Sequence, residues 1–159
     1  MEKKQLTIDY CEYASLEAMP AADRELMQRA IEATDTAYAP YSHFHVGAAV
    51  RLADGTIVTG SNQENIAYPS GLCAERTALF SAAAQHPHQA VAALAVVGRD
   101  AEGRLVEASP CGACRQVMAE CEARHGHPIE LFCYLQGGKI RRIIGVDSLL
   151  PFAFGAELG

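Results

Sequence analysis

The sequence has 159 residues, of which 50% are hydrophobic and 20% are charged, and this is the length and composition of one globular domain. Its formal net charge of −6 argues against a general affinity for nucleic-acid backbones. No apolar run approaches the length that spans a membrane, and residues 1–4 do not lead into the apolar core of a signal peptide, so we expect no membrane partner and a cytoplasmic location.

The chain begins with an extension, residues 1–21, which is followed by a single predicted domain, residues 22–159. In the extension Leu6, Ile8 and Tyr10 alternate with polar residues, which is a weak indication of a strand. Apolar residues at helical spacing then predict a helix over about residues 23–37.

The remaining predicted elements alternate strands with helices and are separated by Gly, Pro and Asp turns. In chain order they are strands over 46–52 and 56–60, a helix over 73–85, a strand over 90–98, a helix over 110–124, strands over 129–135 and 139–144, and a short helix over 147–151. The run over 90–98 is apolar throughout, which is typical of a central strand that is covered on both faces. This order predicts an α/β fold, a three-layer αβα sandwich on a mixed five-stranded sheet.

Two short stretches contain three of the six cysteines. Cys111 and Cys114 are three positions apart, so on a helix they lie on one face and can hold one metal ion. Such a pair alone is often a thiol redox pair or half of a zinc knuckle. The addition of Cys73-Ala74-Glu75 at the start of another predicted helix favours a catalytic zinc centre with three thiolate ligands. No fourth cysteine or histidine stands at ligand spacing beside either stretch, and a catalytic site keeps one position free of protein ligands.

Glu75 and two arginines complete the predicted centre. Glu75 follows Cys73 by two positions, so on a helix their side chains point about 200° apart. Glu75 is therefore poorly placed to share the ion, and we expect it to act as the catalytic acid and base that moves the protons of a water molecule. Arg76 and Arg115 each follow a motif residue directly, and we expect their guanidinium groups to hydrogen-bond the cysteine sulfurs and withdraw negative charge from them.

The two motifs resemble those of the cytidine deaminases, and in particular of the short homotetrameric type. The residues that carry the resemblance are Cys73-Ala74-Glu75-Arg76-Thr77-Ala78, Pro110-Cys111-Gly112-Ala113-Cys114-Arg115-Gln116, Ala39-Pro40-Tyr41-Ser42, Val46-Gly47-Ala48, Asn62-Gln63-Glu64-Asn65, Leu149-Leu150-Pro151 and Phe154. They extend over about residues 22 to 155, nearly the whole chain. The resemblance implies a cytidine deaminase-like fold in which residues 22–159 form the catalytic domain. It also implies one zinc ion per chain and the hydrolytic deamination of cytidine and 2′-deoxycytidine in pyrimidine salvage.

The same resemblance implies which residues bind the nucleoside. Asn62 and Glu64 match residues that bind ribose hydroxyls, and Phe44 matches an aromatic residue that packs near the nucleoside. By position, the backbone N–H of Ala74 holds the carbonyl of the base, and the carbonyl oxygen of Ser109 receives its amino group.

Three further positions imply contacts between subunits. Ile66 and Tyr68 match residues that contact substrate across a subunit boundary, and Phe154 matches an aromatic residue that stacks on the base from a neighbouring subunit. The resemblance therefore implies a homotetramer with composite active sites. Gln63 departs from the pattern, because this position is more often apolar in the family.

Three other interpretations stay open at this point. A related enzyme could deaminate a cytosine-containing antibiotic such as blasticidin S, although Arg76 and the pair Asn62 and Glu64 favour a nucleoside. The chain could instead be a structural zinc module or a binding protein without catalysis. The missing fourth ligand argues against a structural zinc module, and the presence of Glu75 argues against a binding protein without catalysis.

Overall fold

A seven-stranded sheet runs through the middle of the structure, a computed structural model that describes residues 1–155. The helices are α1 (Ala21–Ala33), α2 (Ala74–Gln85) and α3 (Gly112–His125). The strands are β1 (Cys11–Tyr13), β2 (His45–Leu52), β3 (Ile57–Ser61), β4 (Val91–Arg99), β5 (Leu105–Val106), β6 (Glu130–Tyr134) and β7 (Ile140–Ile144).

The strands lie in the order β1-β7-β6-β4-β2-β3, and β5 pairs with the end of β4. β4 and β6 are parallel, and the other pairs are antiparallel. The sheet is therefore mixed, and its five longer strands are the five predicted ones. The short strands β1 and β5 extend it to seven, so the predicted class of fold is confirmed and the predicted number of strands is low by two.

Helices cover both faces of the sheet, which gives the three layers. Leu26 of α1 lies in the apolar cluster on one face together with Ala95 of β4. Leu79 of α2 and Met118 of α3 lie in the cluster on the opposite face together with Val96. Neighbouring residues of β4 thus enter opposite clusters, which confirms the prediction that this strand is covered on both faces. Within residues 1–155 no helix is both long and apolar enough to pass through a bilayer.

Close packing of α2 on the sheet brings its first turn near the strand ends. A Cβ atom at Gly60 of β3 would lie 2.8 Å from the carbonyl oxygen of Ala74 and would also overlap the backbone of Ala78. The glycine therefore lets α2 lie closer to β3 than any residue with a side chain would allow. This contact fixes the start of α2, where Cys73 and Glu75 lie.

Two predicted elements differ in the structure. The first helix begins at Ala21, so Asp23 lies in its first turn and pairs with Arg51 at 2.8 Å. It ends at Ala33 and is followed by a 3₁₀ turn, Thr34–Thr36. The strand of the extension is β1, Cys11–Tyr13, and not the alternating residues 6–10. It forms there because this is where the chain pairs with the edge of β7.

The short helix predicted over 147–151 is wrong. This segment forms turns, in which the N–H groups of Leu149 and Leu150 both donate to the carbonyl oxygen of Val146. Pro151 explains the difference, because proline has no N–H to donate and disfavours helical geometry at the residue before it.

Candidate active site

Three cysteines meet where α2 and α3 begin. Cys73 directly precedes α2, Cys111 directly precedes α3, and Cys114 lies in the first turn of α3. The Sγ atoms of Cys73 and Cys111 are 3.7 Å apart, and those of Cys111 and Cys114 are 3.5 Å apart. They come together because the two helices lie on the same face of the sheet and contact each other.

The three sulfurs fit one tetrahedral metal ion. Thiolates that bind zinc at roughly 2.3 Å in a tetrahedron lie about 3.8 Å from one another, close to the distances found here. All three Sγ atoms lie within 4.8 Å of one another, and no other His, Cys, Asp or Glu of residues 1–155 joins this group. The donor set therefore suits a soft divalent ion that keeps a coordination position free of protein ligands.

Thiolate formation is favoured at Cys73. Its pKa is lowered to about 5, first by a hydrogen bond from the Cys114 thiol and then by the Arg76 guanidinium. The pKa of Cys114 is raised, because its thiol donates to Cys73 and because it is buried. The opposite directions of the two pKa shifts are those of thiols that share one hydrogen bond and titrate together.

The two arginines differ in what they contact. The Nη2 atom of Arg76 lies 3.6 Å from Cys73 Sγ, as the sequence predicted. Arg115 instead donates from Nε to the carbonyl oxygen of Pro110 and from Nη1 to that of Leu149, each at 2.9 Å. The prediction that Arg115 contacts a cysteine sulfur is therefore wrong, because its guanidinium group donates to backbone carbonyls instead. The guanidinium group holds the segment before α3 because two backbone carbonyls without helical partners point toward it.

Glu75 is a buried carboxyl group beside the cysteines. It lies in the first turn of α2 and is 3% exposed. Burial raises its pKa above the ordinary value, and the negative charge on Cys73 adds to the effect. A raised pKa makes a carboxylate a stronger base than an exposed one, which suits a group that must accept and then release a proton during catalysis.

Glu75 lies in the wall of a cavity of about 560 Å³, a volume typical of small-molecule sites. Six of the eight predicted substrate-binding residues line this cavity, namely Phe44, Asn62, Glu64, Tyr68, Ala74 and Ser109. The other two, Ile66 and Phe154, do not line it and are 82% and 87% exposed.

Asn62 and Glu64 hold the segment that forms one side of the cavity. The side chain of Asn62 accepts a hydrogen bond from the N–H of Val46 at 2.7 Å and donates one to the carbonyl oxygen of Phe44 at 2.9 Å. The carboxylate of Glu64 accepts from the N–H groups of Tyr41 and Ser42 and from the Ser42 hydroxyl. These bonds lower the pKa of Glu64, so it is ionised at neutral pH.

Some features of the cavity were not predicted. Tyr41 lines it beside Tyr68, and the two rings meet edge to face with centroids 6.4 Å apart. Tyr41 belongs to the stretch Ala39-Pro40-Tyr41-Ser42, but its place in that stretch does not indicate that its side chain reaches a cavity. The side chain of Gln63 donates to the carbonyl oxygen of Thr36 and to the Ser61 hydroxyl, so it anchors the residue that stands between Asn62 and Glu64.

Comparison with known proteins gives the family. The family model for the cytidine and deoxycytidylate deaminase zinc-binding region matches residues 20–126. The chain belongs to the cytidine and deoxycytidylate deaminase family. A cytidine deaminase of Sporosarcina psychrophila is 51% identical over 134 residues, which cover 84% of this chain and 91% of that one. A cytidine deaminase of Halalkalibacterium halodurans is 46% identical over 139 residues, which cover 85% of this chain and 96% of that one.

The folds agree as well. The crystal structure of a cytidine deaminase from Burkholderia pseudomallei matches with a TM-score of 0.72 at 42% identity, over 86% of this chain and all of that one. The cytidine deaminase of Mycobacterium tuberculosis matches with a TM-score of 0.64 at 36% identity, over 83% and 96%. In this member of the family the region matched by the family model contains all three clustered cysteines, Glu75 and Arg76. The cluster therefore lies in the part of the chain by which the hydrolytic deaminases of this family are recognised.

Proposed function

We propose that the protein catalyses the zinc-dependent hydrolytic deamination of cytidine and 2′-deoxycytidine to uridine and 2′-deoxyuridine, with release of ammonia, as a step of pyrimidine salvage. The observation that carries the proposal is the position of Glu75, a buried carboxyl group in the same cavity as Cys73 and Cys111. A carboxylate beside three metal-binding sulfurs, but outside the ligand set, is the arrangement that zinc-dependent base deaminases use.

Cys73, Cys111 and Cys114 would hold one zinc ion per chain. When bound there, zinc supplies a Lewis acid that lowers the pKa of a water molecule toward about 7. Arg76 contributes by withdrawing negative charge from Cys73 Sγ, since three thiolates on one divalent ion otherwise oppose the ionisation of water. Thiolates must stay reduced to bind metal, which fits a cytoplasmic protein.

Glu75 moves the protons of the reaction. It accepts one proton from the attacking water and donates it to N3 of the cytosine ring as C4 becomes tetrahedral. It then takes the proton of the new hydroxyl group and delivers it to the departing amine, so that ammonia leaves and a carbonyl group remains at C4. The raised pKa of Glu75 suits both directions of transfer, because a catalytic acid and base works best with a pKa near the working pH.

The cavity walls supply the groups that a nucleoside needs. Ala74 and Ser109 offer a backbone N–H to the base carbonyl and a backbone carbonyl to the exocyclic amino group, and both line the cavity with Glu75. Asn62 and Glu64 line the same cavity, and we assign them to the ribose hydroxyls, for which an amide and a carboxylate are suitable partners. Phe44 also lines the cavity, and we assign it to packing against the nucleoside.

We also propose a homotetramer in which neighbouring copies complete each cavity. Ile66 and Tyr68 are 82% and 80% exposed although they lie in the segment that borders the cavity, and Phe154 is 87% exposed. Large apolar side chains so close to a site are the kind that a second copy covers. In this arrangement Phe154 stacks on the base in the cavity of a neighbouring subunit.

The decisive experiment incubates the purified protein separately with cytidine, 2′-deoxycytidine and blasticidin S and follows the loss of the cytosine absorbance. We expect turnover of the two nucleosides, and loss of that turnover when a chelator removes the metal, with recovery on addition of Zn²⁺. Turnover of blasticidin S alone would assign the protein to antibiotic deamination instead. No turnover of any substrate by the zinc-loaded protein would leave a structural zinc module as the better interpretation.

Glu75→Ala is the matched control. The variant should keep its zinc, because Glu75 is not among the grouped metal-binding residues, and should lose turnover by about 10²-fold or more. Full activity in the metal-loaded variant would refute the role given to Glu75.

A further inference from the structure

The side chain of Phe44 lies between two neighbouring cavities. It lines the main cavity, as Cys73 and Glu75 do, and it also lines a neighbouring cavity of about 650 Å³ beside β5. A small displacement of this ring therefore changes the shape of the main cavity.

The backbone of Phe44 is held from both sides. Its N–H donates to the Ser42 hydroxyl at 3.1 Å, and its carbonyl oxygen accepts from the side-chain amide of Asn62 at 2.9 Å. The preceding residue, His43, has a φ of 55° and donates its N–H to the carbonyl oxygen of Ala39 at 3.0 Å. With the backbone fixed in this way, only the side-chain torsions of Phe44 are left to set the place of the ring.

The ring lies directly on a glycine of the central strand. A Cβ atom at Gly98 would lie 2.7 Å from Cζ and 3.1 Å from Cε2 of Phe44, and 3.1 Å from Cγ2 of Val106. Carbon atoms that are not bonded pack at about 3.5 to 4.0 Å, so a ring in its present place is incompatible with any side chain at this position. The strand cannot withdraw, since Gly98 is paired with Val46 on one side and with Val106 on the other.

We infer that Gly98 is a positioning residue, which sets how deeply the Phe44 ring lies in the wall of the cavity and thereby how well the nucleoside fits. The inference rests on the proposed function for its kinetic test, but it concerns a residue that does not touch the substrate. Because the proposed function gives Phe44 a packing role and gives the proton transfers to Glu75, displacement of the ring should weaken substrate binding more than it slows the proton transfers.

The test is Gly98→Ala, assayed with cytidine. We expect KM to rise about tenfold while kcat changes by less than about threefold and the zinc content stays the same, because a misplaced packing group affects the ground state and the transition state alike. Phe44→Leu, which shortens the side chain, should largely remove the overlap between residue 44 and the new Cβ atom at position 98. In that background Gly98→Ala should change KM by less than about twofold.

Val106→Ala supplies the matched control, because Val106 is the other side chain that the new Cβ would meet. Alone it should leave KM unchanged, and combined with Gly98→Ala it should not restore KM. Rescue by Val106→Ala and not by Phe44→Leu would overturn the inference, as would a Gly98→Ala enzyme with wild-type KM.

Folding is part of the same test. If Gly98→Ala alone does not fold, rescue of folding by Phe44→Leu supports the inference, and failure of that rescue overturns it. A crystal structure of the folded variant gives a reading that does not depend on activity, namely whether the Phe44 ring has moved. If the wild-type protein does not deaminate cytidine, the proposed function fails. The crystal structure of Gly98→Ala still decides the role of Gly98, because a displaced Phe44 ring supports the inference and an unmoved ring overturns it.

Discussion

The guanidinium group of Arg76 lies one helical turn from Cys73, with its Nη2 atom 3.6 Å from the cysteine Sγ. The two residues are on the face of α2 that points to the metal-binding cluster, and the positive charge contributes to the low pKa of the thiol. The Nε atom of Arg76 is buried and has no hydrogen-bond partner within residues 1–155. A partly buried guanidinium group that leaves its buried Nε without a partner and still points at a sulfur indicates that its position serves the cluster.

Arg76→Gln should therefore impair turnover more than metal binding. The three sulfurs still hold zinc, but the negative charge that they place on it is no longer partly withdrawn, so water ionises less readily. We expect kcat to fall by about tenfold or more at unchanged zinc content, both of which can be measured on the same sample by a cytidine assay and atomic absorption.

Arg115→Gln is the comparison for Arg76→Gln. Because Arg115 donates to the carbonyl oxygens of Pro110 and Leu149, its loss should lower thermal stability more than it lowers kcat. If Arg76→Gln turns cytidine over at the wild-type rate, Arg76 has no part in adjusting the metal centre.

The site and the outline of the fold could be predicted because they depend on local patterns. The spacing of Cys111 and Cys114 fixes their common helical face, and the position of Glu75 after Cys73 separates the carboxylate from the ligands. The apolar run of β4 is buried on both faces in the structure, as its composition indicates. Each of these inferences needs only the geometry of one element and the chemistry of its side chains.

Other features depend on residues that are distant in sequence. Arg115 contacts the carbonyl oxygen of Leu149, 34 positions away, so its spacing beside Cys114 could not reveal that partner. Gly98 of β4 has its proposed role because it contacts the ring of Phe44, a residue that lies before β2 in the sequence. β1 forms at Cys11–Tyr13 because the edge of β7 is there to accept it, and not because of the alternation in residues 6–10. Local periodicity contains no information on such pairings.

Glu122 gives a prediction about pH and stability. Its two carboxylate oxygens accept hydrogen bonds from the N–H groups of Ile129, at 2.7 Å, and Val146, at 3.3 Å, so it joins α3 to the segments beside β6 and β7. Partial burial raises its pKa above the ordinary value in spite of these bonds. An acid whose pKa is higher in the folded state is favoured in its protonated form by folding, so its contribution to stability falls as pH rises from the unfolded pKa through the folded one.

Glu122→Gln removes this titration. The free energy of unfolding of the variant, measured relative to the wild type, should therefore increase as the pH is raised from about 4, near the unfolded pKa, toward neutral pH. Urea unfolding at several pH values measures this difference. Glu120→Gln on the same helix is the control for the substitution itself, because it leaves the bonds of Glu122 to Ile129 and Val146 in place. If the free energy of unfolding of Glu122→Gln relative to the wild type stays constant or falls as the pH rises, the titration assigned to Glu122 is wrong.

The N-terminal extension provides the last prediction. β1 covers the outer edge of β7, with Cys11 opposite Arg142 and Tyr13 opposite Ile140. Arg141 of β7 adds an ion pair with Glu12 at 3.0 Å and places its guanidinium carbon 5.1 Å from the centre of the Tyr10 ring. Removal of this segment exposes the hydrogen-bonding groups of a strand that is rich in isoleucine, which both destabilises the sheet and invites association with another edge.

Deletion of residues 2–13 should lower the melting temperature by about 3–6 °C, since an ion pair and a cation–π contact at partly exposed sites together contribute about 1–2 kcal/mol in a domain of this size. Deletion of residues 2–9 leaves Tyr10, Glu12 and β1 in place and should change it by about 1 °C at most. Turnover should survive both deletions, because no residue of 1–21 lines the cavity. Calorimetry measures the melting temperature, and light scattering detects association through the exposed edge of β7. An equal loss of stability in both deletions would show that the contacts of β1 are not what stabilises this edge.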